Sequence, residues 1–134
     1  MSFQFTYDNT ENPSVPLIPL TLETYFGKKD NAIGKLDTGA ALTIIPEKYL
    51  EKLELRKSGT AVVADPFSNF QIRDTFEVHI IINNTKFGLM QVIAAPRPNV
   101  LLGRDLLNIW NINFNSQNKT GDITPWSLDP SDVT

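Results

Sequence analysis

Short runs of β-branched and aromatic residues, cut apart every few positions by Gly, Pro, Asn or Asp, constrain this chain more than any other feature. Such runs are too brief for a helical bundle and point to an all-β sandwich or barrel, since each strand must bury an apolar face against another layer. Residues 17–26 form the first run, and Gly27-Lys28-Lys29-Asp30-Asn31 turns it into a second at 32–36, a hairpin. Leu42-Thr43-Ile44-Ile45 continues in strand formers. Pro46 followed by Glu47-Lys48-Tyr49-Leu50-Glu51-Lys52-Leu53 predicts a short helix with proline in its first turn.

Beyond that helix, residues 58–74 read as a long hairpin, with Ala61-Val62-Val63 and Phe70-Gln71-Ile72 as strands around an exposed Asp65-Pro66 tip. Residues 76–82 and 86–94 pair across Asn83-Asn84, and Pro96 and Pro98 stop the second strand. Arg104-Asp105-Leu106-Leu107 predicts a second short helix, and residues 110–114 alternate as a late strand. The organisation expected is an extended N-terminal arm over 1–16, one domain over 17–114, and a polar tail over 115–134 that is either an interface strand or partly disordered.

Composition excludes several functions. A chain of 134 residues has room for one domain. Its net charge of −3 comes from acids and bases mixed along the sequence, so no nucleic-acid partner is expected. There is no cysteine, hence no thiolate nucleophile, disulfide or Cys-type zinc site. His79, the single histidine, has no spaced partner for a metal site or a triad, and the expectation is no metal and no cofactor. No apolar run approaches the roughly 18 residues of a membrane helix, and the first residues lack the pattern of a signal peptide. No membrane partner is expected, with the cytoplasm as the default location.

Chemistry concentrates at Leu36-Asp37-Thr38-Gly39-Ala40, where an acid ends an apolar strand and is followed by a small hydroxyl residue and a glycine. The glycine frees the backbone to bring an N–H to the carboxylate, and Thr38 adds a nearby hydrogen-bonding group. Taken alone, Asp37 is a turn aspartate, because Asp-Thr-Gly arises by chance in about 2% of chains this long. The tripeptide occurs once, so the chain holds no internal duplication of it.

A later segment changes that reading. Asn99-Val100-Leu101-Leu102-Gly103-Arg104-Asp105-Leu106-Leu107 follows a hairpin that runs into Pro96-Arg97-Pro98. With Asp37-Thr38-Gly39-Ala40 ahead of it, this ordered set resembles the retropepsins, the single-domain aspartic proteases of retroviruses and their cellular relatives, over about residues 17–114. The resemblance implies a closed acid-protease β-barrel with one or two short helices, active as a symmetric homodimer on peptide or protein substrates. It implies that Asp37 is catalytic, one per subunit, with Thr38 and Gly39 positioning the site and Gly39 and Ala41 meeting the substrate backbone. Gly103, Arg104 and Asp105 would be structural support.

Two carboxylates brought together share one proton, so one activates a water as general base while the other polarises the scissile carbonyl. Two departures from the viral pattern stand out. The hairpin at 58–74, in the place of the flap, has glycine only at Gly59, and Ala41 stands where viral enzymes often carry an aspartate that pairs with the arginine of the later segment. They keep open an alternative, a dimeric binding or assembly module with the same fold and little turnover.

Overall fold

In a computed structural model, which describes residues 2–10, 14–64, 67, 69–115 and 117–125, ten strands and two short helices follow one another. They are β1 (Phe3–Asp8), β2 (Val15–Glu23), β3 (Lys29–Leu36), β4 (Ile44–Pro46), α1 (Lys48–Lys52), β5 (Lys57–Ala64), β6 (Phe70–Ile82), β7 (Thr85–Ala95), β8 (Val100–Leu102), α2 (Arg104–Leu107), β9 (Trp110–Asn115) and β10 (Thr120–Pro125). The sheet runs β5-β6-β7-β4-β8-β3-β2-β1-β10-β9, and a further pairing of β6 with β2 closes six of these strands into a barrel.

Strand β2 makes the closure possible. Ile18, Leu20 and Leu22 alternate into the core, following the period of two. One edge of β2 pairs with β3. The other is divided, with Val15, Pro16 and Leu17 paired to β1 and Thr21, Leu22 and Glu23 paired to β6. Inside the ring, Leu22, Val78, Ile80, Val100, Leu102 and Leu106 are fully buried, and removal of such side chains from water is the main term holding a barrel of this kind together.

Where β2 ends, the structure departs from the expected strand. Thr24 closes the turn, its N–H bonding the Lys28 carbonyl at 2.8 Å while its hydroxyl accepts from Lys28 N–H at 3.0 Å. Gly27 supplies the positive φ of +85° that the turn requires. Tyr25 and Phe26 therefore stand off the sheet instead of extending it, 77% and 75% exposed. At the strand's end, Glu23 is buried between Lys29, at 3.3 Å, and Lys86. The Lys86 ammonium, with Lys29 in support, holds its carboxyl below the usual carboxylate range.

Pro46 also sits differently from expectation. It ends β4 opposite Ala95, and α1 begins after Glu47. The bond at that point of the ladder runs from Glu47 N–H to the Ala95 carbonyl at 3.0 Å, so the donor that proline lacks is not missed.

Both termini carry more structure than their polar composition suggests. Residues 3–8, expected as an arm, form a strand that buries Phe3 and Phe5. Phe3 meets Trp110 edge-on at 5.7 Å and Phe87 at 6.4 Å. Within the tail, β10 lies between β1 and β9, with Ile123 fully buried. A Cβ at Gly121 would fall 2.1 Å from the Phe5 ring, so only glycine lets β10 close on β1. The tail's last nine residues, 126–134, lie outside the described residues.

Candidate active site

Asp37 is the first residue beyond β3, and its place is determined by the parallel pairing of β3 with β8, in which Leu36 stands opposite Leu102. Asp37 N–H donates to the Leu102 carbonyl at 3.0 Å, continuing the ladder one residue past the strand. The chain then folds back on itself. Gly39 N–H donates to Asp37 Oδ1 at 2.8 Å, and Ala40 N–H reaches the Asp37 carbonyl at 3.3 Å. The half-buried carboxylate is thus oriented by its own loop, as glycine two residues on permits.

Helix α2 fastens this loop from behind. Arg104 N–H donates to the Ala40 carbonyl at 2.8 Å and Asp105 N–H to the Ala41 carbonyl at 3.2 Å. Arg104 Nη1 donates to the Thr38 carbonyl at 2.8 Å. Gly103 makes the approach possible, because a Cβ there would stand 2.6 Å from the Leu42 carbonyl carbon and 2.9 Å from the Ala40 oxygen. Backbone cannot yield to such a contact.

Thr43 completes the arrangement. Fully buried, it donates through Oγ1 to Asp105 Oδ1 at 2.9 Å and through its N–H to Asp105 Oδ2 at 3.0 Å, while its Oγ1 accepts from Gly103 N–H at 3.2 Å. Asp105 Oδ1 also accepts from Leu106 N–H at 2.9 Å. The carboxylate thus accepts from three donors, the condition under which a partly buried charge is tolerated. Gly103, Arg104 and Asp105 converge on the loop at Asp37. The sequence had not singled out Thr43, whose hydroxyl was lost among strand formers.

Asp37, Gly39, Ala41 and Arg104 open onto one cleft of about 730 Å³. The side chain of Thr38 is exposed and does not line it. The β5–β6 hairpin overhangs the cleft, contributing Val62, Val63, Ala64, Phe70, Gln71 and Arg73. Its register sets Val62 opposite Ile72 and Ala64 opposite Phe70 on one face, with Val63 opposite Gln71 and Ala61 opposite Arg73 on the other. The first face is open to solvent, with Val62 66%, Phe70 73% and Ile72 74% exposed. Arg73 Nη2 ties the stem to the Ala94 carbonyl of β7. At the tip, Asp65, Pro66 and Ser68 lie outside the described residues.

Among the described residues, Asp37 is the only carboxylate that lines the cleft, and no cluster of His, Cys, Asp or Glu could hold a metal ion. One fixed acid in a cleft overhung by a hairpin suits the binding of a strand-like chain across a carboxylate.

Comparison with known proteins covers the span that holds this cleft. A sequence model of the family described as retroviral aspartyl protease matches residues 15–115. A retropepsin-like aspartic protease from Rickettsia conorii superposes with a TM-score of 0.59 at 12% identity, covering 92% of this chain and 90% of its own. EIAV protease complexed with the inhibitor HBY-793 superposes at 0.54 with 20% identity, covering 77% of this chain and 91% of its own. The foamy viral protease-reverse transcriptase in complex with RNA/DNA hybrid gives 0.52 at 19% identity over 87% of this chain, which spans only 14% of that protein's length. No curated protein sequence matches the chain. At these identities the superpositions establish the fold, an all-β barrel of the retropepsin kind.

Proposed function

Because this chain belongs to the retroviral aspartyl protease family, we propose that it is a homodimeric aspartic endopeptidase in which Asp37 of each subunit supplies half of the catalytic pair. The observation that carries this reading is the single oriented carboxylate that opens onto the cleft, with no second acid among the described residues that line it. Alone it can accept a proton but cannot also donate one to the substrate. A second copy across a twofold axis supplies the missing acid.

Two carboxylates at close range cannot both ionise cheaply, so the pair holds one proton between them. The ionised member takes a proton from a bound water as it attacks the peptide carbonyl, and the protonated member donates to the carbonyl oxygen. The resulting tetrahedral intermediate collapses with proton transfer to the leaving amine, and no acyl-enzyme forms. Gly39 and Ala41, exposed on the cleft side, offer backbone groups to an extended substrate. Thr38 works from the far side of the loop, toward the partner subunit, while Gly103, Arg104 and Asp105 hold the loop in place.

Cleavage of an unstructured protein between about pH 4 and 7 tests the proposal, with wild type, Asp37→Asn and a pepstatin-treated sample in parallel. The expected result is a mildly acidic optimum, inhibition by pepstatin, and a loss of about 10²–10⁴-fold in the variant. Dimers that bind peptide but cut nothing at any pH would instead establish a binding module, the reading that the glycine-poor hairpin and Ala41 favour.

A further inference from the structure

The charges that line the cleft differ from those of the chain as a whole. The protein carries a net −3, yet among the described residues the ionisable ones lining the cleft are Arg73, Arg104 and Asp37. The acids nearest in sequence to the two arginines are engaged elsewhere. Asp105 is bonded by Thr43 and Leu106, and Asp74, on the opposite face of the hairpin from Arg73, pairs with Lys57 at 3.2 Å. Among the described residues neither arginine has a carboxylate partner, and Ala41, beside Arg104 on the cleft wall, presents only a methyl group.

Each guanidinium is nevertheless held in place. Arg104 spends one nitrogen on the Thr38 carbonyl and Arg73 one on the Ala94 carbonyl. A guanidinium has five N–H donors, so both keep their full charge and most of their hydrogen-bonding capacity for something else. Cations anchored by neutral carbonyls give up less freedom on pairing than loose ones do. Leu42, Ile44, Val63, Ile93 and Leu101 line the same cleft with apolar side chains.

We propose that Arg73 and Arg104 are specificity-determining residues that select acidic side chains, so that the preferred substrate is an extended peptide with apolar residues at the cleaved bond and Asp or Glu flanking it. The inference rests on the endopeptidase reading for its substrate class. Twofold symmetry doubles the effect, since the dimer offers four such arginines against a catalytic pair that carries a single negative charge.

The test is a peptide series with two central apolar residues and one flanking Glu moved through successive positions, each compared with its Gln counterpart. Measurements are made at about pH 6, where a free Glu is ionised. At low salt the expected kcat/KM ratio of Glu to Gln peptide is about fivefold or more at the best position, falling toward one at about 1 M salt. Arg104→Gln and Arg73→Gln each reduce the ratio, whereas Arg104→Lys and Arg73→Lys retain most of it. A purely structural arginine would lower both rates and leave the ratio unchanged. A low-salt ratio of one, or a ratio unaffected in the double Gln variant, overturns the proposal while the endopeptidase reading stands. If nothing is cleaved, that reading fails, and fluorescence anisotropy of the same peptides on Asp37→Asn protein still decides the charge preference. Tighter binding of the Glu peptides supports it; equal binding, or none, overturns it.

Discussion

The loop that carries Asp37 and the hairpin that overhangs it face the same cleft, but the loop is held by bonds from β8 and α2, themselves braced by Thr43, whereas the described part of the hairpin leans on the barrel mainly through its stem. Every residue from Asp37 to Ala41 either gives or receives a backbone hydrogen bond, and four of those bonds come from residues 102–105 or reach them. The hairpin, by contrast, presents Val62, Phe70 and Ile72 to solvent. A catalytic carboxylate needs a geometry that does not relax, while a cover must move to admit a chain. The two walls therefore should respond to mutation in opposite ways, one through stability and the other through substrate binding.

The sharpest contrast is between two glycines. Gly103→Ala drives a Cβ against the backbone of Leu42 and Ala40, and it should cost more than about 3 kcal/mol, enough to abolish folding or leave an inactive loop. Gly59→Ala, in the hairpin, meets only Thr75 Oγ1 at an ordinary 3.4 Å and should change stability by less than about 0.5 kcal/mol. Urea unfolding of the pair checks this. Equal losses would mean that the hairpin is as tightly built as the loop.

Next in size is Thr43→Val, which keeps the shape but strips the hydroxyl between Asp105 and Gly103. Leaving the buried Gly103 N–H unpaired, and taking from Asp105 Oδ1 one of its two donors, costs about 1–3 kcal/mol, and cleavage should weaken as the loop loosens. Thr43→Ser, which retains the hydroxyl, should recover most of both. Wild-type stability and activity in Thr43→Val would show that the hydroxyl's two bonds do not hold the loop.

How far the sequence revealed these parts follows from how local each is. Asp37-Thr38-Gly39 is contiguous, and the Gly-Arg-Asp segment is contiguous, so both could be read directly, as could the hairpins at 58–74 and 76–94. The bond from Thr43 to Asp105 spans 62 residues, and no pattern in a single sequence reports a contact at that range. The two terminal strands escaped for a related reason. Phe3 and Phe5, and Gly121 and Ile123, each supply only two inward positions, too few for a period of two to stand out from polar surroundings. Their partners lie at the far end of the chain. Arg73 was hidden within a strand, where nothing distinguishes a cleft-lining cation from a solvated one.

On the hairpin the expected effects are kinetic. Phe70 lines the cleft yet is mostly exposed, so Phe70→Ala should leave stability within about 0.5 kcal/mol of wild type. If Phe70 covers bound peptide, KM should rise by roughly tenfold or more, the equivalent of burying part of a phenyl ring. A fall in unfolding midpoint with KM unchanged would reverse the contrast, making the hairpin a structural wall.

The smallest effect concerns whether the barrel tolerates the acidity that the paired carboxylates favour. Glu23, at the seam where β2 meets β6, is ionised between Lys86 and Lys29, and its carboxyl is held below its ordinary value of 4.5. A depressed folded-state value means that Glu23 stabilises the fold fully above its unfolded value and that this contribution is lost as pH falls through the folded one. Glu23→Gln should therefore unfold at lower denaturant concentration than wild type at pH 7, and still do so at pH 5, with the gap closing only below about pH 4.5. The loop at Asp37 and the barrel seam would then stay intact through the mildly acidic range in which a single shared proton is retained. A gap that persists at low pH would show that Glu23 acts through packing, and the acid limit of the fold would lie with other groups.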